Sequence, residues 1–251
     1  MSLELEIQRI IEEKFAELNR PDLIRTPLVA FSSAHDPKYE ALKTVVGPWH
    51  ALPTDFLPEA QTVISYFIPF TKEVAHGPKN EPEGCPVWSE AYILINRHFH
   101  VVNQAIQDYL ESQGYQAAQI RPPKAYDPDN FHALWSHRSA AVIANLAAFG
   151  ANNLAITDKG SGGRFCSIIT SARLESRREP PKKQCPYFVN GACGLCIKAC
   201  PAGALTGGST NKRACQDELN KNPERLKKLN AKYIADICGK CLSVCPLVYL
   251  D

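Results

Sequence analysis

The stretch that decides the fold runs from Cys185 to Pro246. It reads CPYFVNGACGLCIKACP over residues 185–201 and CQDELNKNPERLKKLNAKYIADICGKCLSVCP over residues 215–246. Eight of the ten cysteines lie in it, as two runs that each end in Cys-x2-Cys-x3-Cys-Pro. A Cys-x2-Cys loop lets two thiolates converge on one cuboidal cluster. The cysteine three residues further on starts a short helix that points away, so it reaches a different cluster. The pattern is an iron-sulfur framework.

In two-cluster ferredoxins the fourth cysteine of each run ligates the other run's cluster. That rule predicts one 4Fe-4S cluster on Cys185, Cys193, Cys196 and Cys245, and a second on Cys215, Cys238, Cys241 and Cys200. The first gap of each run is seven residues in one and twenty-two in the other, so the spacing constrains Cys185 and Cys215 less than the other six. Zinc is the competing metal, but it is normally held by paired Cys-x2-Cys units closing one tetrahedron. Neither the third cysteine nor the repeated Cys-Pro is needed there. A disulfide framework belongs to small secreted chains, and the opening Met1-Ser2-Leu3-Glu4-Leu5-Glu6 is acidic where a secretory signal is basic.

At 251 residues, 45% hydrophobic and 22% charged, the composition is that of an ordinary globular protein with room for one large or two modest domains. No stretch approaches the roughly 20 apolar residues that span a bilayer. The expected location is the cytoplasm, where thiols stay reduced, with no membrane partner. A net charge of +2 gives no support for nucleic-acid binding.

Upstream of the cysteines the expectation is an α/β domain over residues 1–180, a mixed sheet with flanking helices, followed by a ferredoxin-like domain with two 4Fe-4S clusters over residues 181–251. Ile7, Ile10, Ile11, Phe15 and Leu18 recur at helical spacing over residues 3–18. Residues 27–31 and 62–68 are β-branched and aromatic runs that read as buried strands. Between them, four prolines read as an irregular connection. Residues 71–88 read as a loop carrying Cys85 as a free thiol. Residues 89–113 form a long helix, on which His98 and His100 lie two apart and cannot chelate one metal. A strand is expected at 116–120, an alanine-rich helix at 136–149, and two strands at 154–156 and 165–169 joined by a glycine-rich turn. That turn leads into a strand and not a helix, so it is no phosphate loop. Cys166, Trp88 and Trp135 read as core residues. Residues 173–184 carry five Lys or Arg side chains. They read as a solvated linker or, less simply, as a dock for an acidic electron-transfer partner.

Residues 138–170, taken with the cysteine runs, resemble the epoxyqueuosine reductase family in its short form. The shared order is an alanine-rich helix, a Gly-Trp-Ile-Gly-Lys-Asn-type turn seen here as Gly150-Ala151-Asn152-Asn153, a Gly-Ser turn at Gly160-Ser161, and a strand ending in Thr170. Arg97-His98-Phe99-His100-Val101 resembles a second family segment. The resemblance implies an oxidoreductase in which two clusters feed single electrons from a ferredoxin- or flavodoxin-type donor to a corrinoid, bound cobalamin or that of a partner protein. Gly150, Asn152, Gly160, Ser161 and Thr170 would line the corrinoid side of the cleft. Ala151 replaces the family's lysine, and the family's acidic residue falls at Phe131, with Asp127 and Asp129 out of register. The sequence ends at Asp251, so the C-terminal helical repeats of many members are expected to be absent. Reduction of epoxyqueuosine in tRNA is therefore not expected, nor is nucleic acid as a partner. Two alternatives stand beside this: a corrinoid-dependent reductase of a nucleoside or small molecule, with Tyr126, Asp129 or His132 as proton donor, and a ferredoxin-type carrier without catalysis.

Overall fold

Every residue of the run Thr62–Pro69 is buried, as a continuous apolar strand must be when both faces of its sheet are covered. The computed structural model describes residues 2–81, 84–120, 126–127, 129–175 and 178–251. Its elements, in order, are α1 (Leu3–Ala16), β1 (Leu28–Ser33), α2 (Pro37–Val45), α3 (Pro53–Phe56), β2 (Thr62–Pro69), α4 (Lys72–Asn80), α5 (Pro86–Ser112), β3 (Ala117–Gln119), β4 (Tyr126–Asp127), β5 (His132–Ala133), α6 (His137–Ile143), β6 (Ala148–Phe149), β7 (Ala155–Ile156) and β8 (Gly163–Thr170). The cysteine region adds α7 (Pro186–Asn190), α8 (Leu195–Lys198), α9 (Lys212–Leu219), α10 (Asn222–Lys228) and α11 (Lys240–Ser243).

The main sheet has the order β1-β2-β8-β3. The α/β unit is present, but all three strand pairs of this sheet are antiparallel, where a mixed sheet was expected. No βαβ crossover links neighbouring strands, which is what parallel pairing would need. Alternate residues of β2 point to opposite faces. Ile64, Tyr66 and Ile68 join α1 and α5 in the larger core, while Val63 joins Tyr39, Trp135 and Ala140 on the other side.

Three expected loops or helices differ. Residues 32–61 hold two helices, because Asp36 caps α2 through its side chain and Pro37 occupies the first turn. Residues 71–88 hold α4, which accommodates Pro78 in its last turn. The helix expected to reach residue 149 stops at Ile143, since Asn145 takes a left-handed φ of 56°. Cys166, Trp88 and Trp135 are buried, as is the free thiol Cys85.

The large core crosses the expected boundary near residue 180. Ile237, Leu242 and Val248 belong to the same apolar cluster as Ile7 and Ile95. Arg25 fastens the C-terminal tail, donating to the carbonyls of Leu250 (2.7 Å) and Lys159 (2.6 Å). The 22-residue gap between Cys215 and Cys238 is mostly helical, formed by α9 and α10. Buried Glu218 joins the two through Arg225 and Lys221.

Candidate iron-sulfur centres and the adjoining cleft

Cys185, Cys193, Cys196 and Cys245 line one cavity together with Gly150, Asn152 and Ile156. Burial pushes the Cys245 thiol up to about 11, helped by the neighbouring Cys196, Cys185 and Cys193. The other four cysteines gather separately. Cys241 is pushed up to about 12, first by burial, then by Cys238, Cys200 and Cys215, and last by Cys196 of the first group. Cys215 in turn feels Cys200 and Cys238. In each group one thiol therefore comes from the opposite run. Among the described residues, no three His, Cys, Asp or Glu side chains close to the spacing of a single metal ion. Thiols at these raised values are protonated near neutrality, so any cluster they hold must displace protons on binding.

The turn from Gly150 to Leu154 stands between the two groups. It is closed by Gly150 N–H on Leu154 O and Asn153 N–H on Gly150 O, both 2.9 Å. Asn152 lines the first cavity while its amide donates to the Cys241 carbonyl at 3.3 Å, and its oxygen accepts from Leu154 N–H. Asn153 reaches Thr210 Oγ1 at 3.1 Å. The second Cys-x2-Cys loop is seated on α5, where a Cβ on Gly239 would come within 2.8 Å of the Trp88 ring.

Gly160 and Ser161 act elsewhere. Ser161 and Gly162 N–H groups donate to Leu247 and Val248 carbonyls at 2.9 and 2.8 Å, extending the tail that follows Cys245. Thr170 is fully buried and donates to Gln116 O at 2.9 Å. It ends β8, about 23 Å from Gly163 at roughly 3.3 Å per residue. Of the five residues expected together, the structure brings Gly150 and Asn152 to the thiols, places Gly160 and Ser161 at the tail, and leaves Thr170 in the sheet.

A cleft adjoins the second group of thiols. Arg138, at the start of α6, is exposed at its surface yet desolvated by the protein around it, which lowers its pKa. A side chain enclosed on most sides but still open to solvent lines a concavity. Arg138 donates to Asn153 O at 2.8 Å and feels the Cys241 thiol. Next to it, His137 Nδ1 and Ser167 Oγ are 2.7 Å apart, and Ser167 also accepts from Trp135 Nε1 at 2.9 Å. Burial, reinforced by the charge on Arg164, holds His137 down to about 4, so it is neutral at pH 7. Arg164 itself rests on Tyr92 and Asn96 of α5. Sequence reading missed Arg138, His137 and Arg164, which carry no local motif.

Of the candidate proton donors, the side chains of His132 and Asp129 lie within the described residues. His132 stacks on Trp49 with ring centroids 3.4 Å apart. Asp129 is exposed, and the Tyr126 side chain lies outside the described residues. Phe131, with a left-handed φ of 54°, is engaged by Lys212 and Arg213 of α9.

Fold and site define a protein with an antiparallel α/β unit joined to a double iron-sulfur cluster domain. Residues 190–247 match the family model described as a 4Fe-4S double cluster binding domain. The chain resembles the epoxyqueuosine reductases in fold. The enzyme from Streptococcus thermophilus is 20% identical with a TM-score of 0.60, over 99% of this chain and 66% of that one. An epoxyqueuosine reductase solved with an epoxyqueuosine-modified tRNA stem loop is 17% identical with a TM-score of 0.54, over 96% and 66%. The catabolic reductive dehalogenase NpRdhA is 15% identical with a TM-score of 0.60, over 87% of this chain and 29% of that one. The chain thus spans about two thirds of the length of the epoxyqueuosine reductases it matches. Both kinds of neighbour are oxidoreductases. No curated protein matches the sequence. Among the described residues, no helix is long and apolar enough to cross a membrane.

Proposed function

We propose that this chain is an iron-sulfur oxidoreductase that passes low-potential electrons through two 4Fe-4S clusters to a corrinoid, bound in its own cleft or carried by a partner protein. The observation that carries this reading is the pairing of two four-thiol groups across the Asn152 turn, with Cys241 of the second group beside the cleft. Residues 181–251 form the relay and residues 1–180 the corrinoid side, in a reducing cytoplasm. Cys185, Cys193, Cys196 and Cys245 hold one cluster, and Cys200, Cys215, Cys238 and Cys241 the other. Four thiols around a void, with no three at mononuclear spacing, suit a cuboidal cluster. Such clusters reach potentials as low as about −700 mV.

The cleft suits an amide-fringed macrocycle, since its wall is polar where Arg138 donates to the Asn153 carbonyl at 2.8 Å. A corrinoid bound there supplies a cobalt centre that takes up single electrons. Gly150 and Asn152 keep the two thiol groups and the cleft wall in register. Gly160 and Ser161 hold the tail that positions Cys245. The test is an anaerobic spin-resonance titration of cob(II)alamin with the cluster-loaded protein. The expected result is a perturbed cobalt signal that disappears on reduction through the clusters. An unchanged signal beside intact clusters would remove free cobalamin as the cofactor and favour a carrier.

The fold admits a nucleic-acid substrate, since one neighbour is solved with a tRNA stem loop. The reading here favours a smaller substrate, because Phe131 stands where the resemblance puts an acid.

The electron donor, an acidic flavodoxin or ferredoxin, is placed at the first cluster. Phe188, Val189 and Leu195 are 53%, 62% and 50% exposed around Cys185 and Cys196, and the exposed Lys182, Lys183 and Lys198 lie within a few residues of these cysteines along the chain. Exposed apolar residues rimmed by one sign of charge mark a docking face. Charge reversal of all three lysines to Glu should slow reduction by flavodoxin at least ten-fold at low salt, while dithionite reduces the variant at the normal rate. An unchanged flavodoxin rate would place electron entry elsewhere.

A further inference from the structure

Arg164 carries a charge that no carboxylate among the described residues pairs with. Its Nε donates to Asn96 Oδ1 at 3.0 Å, and its guanidinium lies 4.4 Å from the Tyr92 ring centroid. One edge and one face are thus held by α5, so the fork is oriented. Its two Nη groups meet no protein acceptor among the described residues, and no carboxylate pairs with it. Burial lowers its pKa, with only the Tyr92 phenol and the Cys166 thiol acting the other way. Its neighbours Arg138 and His137 are lowered first by burial and then by the charge on Arg164, so they offer it no counter-charge.

A cationic cleft without counter-charge costs stability. Loading the clusters answers only part of it. Thiolate-bound iron beside Cys241 is a counter-charge for Arg138, which feels that thiol. Arg164 feels no cluster thiol. A guanidinium held at one edge with its other edge free is shaped to bind an oxyanion through two parallel hydrogen bonds.

We propose that Arg164 binds an oxyanion carried by the substrate, a carboxylate or a phosphate ester. This rests on the reading of the chain as a corrinoid reductase whose cleft also admits its substrate, and it narrows the substrates to anionic molecules. Asn96 and Tyr92 position the fork.

The test is calorimetric titration of the cluster-loaded protein, without cobalamin, using benzoate, phenyl phosphate and neutral benzamide. At least one anion should bind ten-fold or more tightly than benzamide. Tighter benzoate identifies a carboxylate, and tighter phenyl phosphate a phosphate ester. Arg164→Gln should weaken anion binding at least ten-fold, with Arg164→Lys recovering part of it. Asn96→Asp sets a carboxylate against Nε and should weaken binding similarly while keeping the guanidinium, so it decides the matter if Arg164→Gln does not fold. Binding of neither anion, equal binding of benzamide, or anion affinity unchanged in Asn96→Asp would overturn the proposal. With cobalamin left out, failure here leaves the corrinoid reading standing. A silent cobalt signal in the other experiment would leave the anion site standing.

Discussion

Cys245→Ser is expected to cost the protein the cluster on Cys185, Cys193 and Cys196, and Cys200→Ser the cluster on Cys215, Cys238 and Cys241. Each cysteine follows its own run's Cys-x2-Cys loop by a short helix, α11 or α8, that carries its thiol to the opposite group. Cys245 is influenced by Cys196, Cys185 and Cys193 and lines one cavity with them. Cys200 appears instead beside Cys215, Cys238 and Cys241. A serine hydroxyl is a much poorer iron ligand than a thiolate, so each variant should fall from about eight irons per chain to about four. Iron and sulfide analysis with low-temperature spin resonance reads this directly. Loss of the Cys238–Cys241 cluster in Cys245→Ser would mean that the runs are not crossed. Retention of eight irons in both variants would mean that neither residue is a ligand.

Gly160→Ala should be among the most damaging changes outside the cysteines. Gly160 has φ +95°, and a Cβ there would lie 2.5 Å from the Val248 carbonyl oxygen and 2.9 Å from Tyr249 N. The neighbours are backbone, so relief requires the tail to move. The left-handed conformation alone costs roughly 1–2 kcal/mol for a residue with a side chain. Displacing the packed tail brings the total to about 2–4 kcal/mol, the range of disrupted core contacts. At 2–4 °C per kcal/mol for a chain of this size, the melting temperature should fall by roughly 5–15 °C. Gly114→Ala is the control, since Gly114 has φ +84° with nothing within 4 Å and bears only the backbone cost. Cys245 lies two residues before Leu247, so Gly160→Ala should also lose the first cluster to a chelator faster than Gly114→Ala does. Equal melting temperatures for the two variants would show that the tail is not fastened by this turn.

The elements that were legible are those whose signal is local. Thr62–Ile68 reads as a strand because every position but Ser65 is apolar, aromatic or β-branched, and the strand is there in full. The alternation of apolar positions in residues 3–18 and 89–113 corresponds to α1 and α5. Two of the prolines in the stretches expected as loops, Pro37 and Pro78, mislead for opposite reasons. Pro37 lies in the first turn of α2, where its missing N–H is no loss. Pro78 lies in the last turn of α4, where the packing of Val74 and Ala75 into the core outweighs it. Gly160-Ser161 was recognised as a turn, but its partner is a tail almost ninety residues later.

By itself the sequence determined the chemistry that depends on spacing along the chain: two Cys-x2-Cys-x3-Cys-Pro runs, the buried strand at 62–68, the helices at 3–18 and 89–113, and the glycine-rich turn before β8. Those features are set within a few residues, where covalent geometry limits what the backbone and thiols can reach. Only the tertiary structure decided that the sheet is antiparallel, that the main core runs through to Val248, and that Arg138 and Arg164 share one cleft. Those depend on contacts between elements far apart in the chain, and no local preference encodes which distant surface a buried charge or an apolar face will meet.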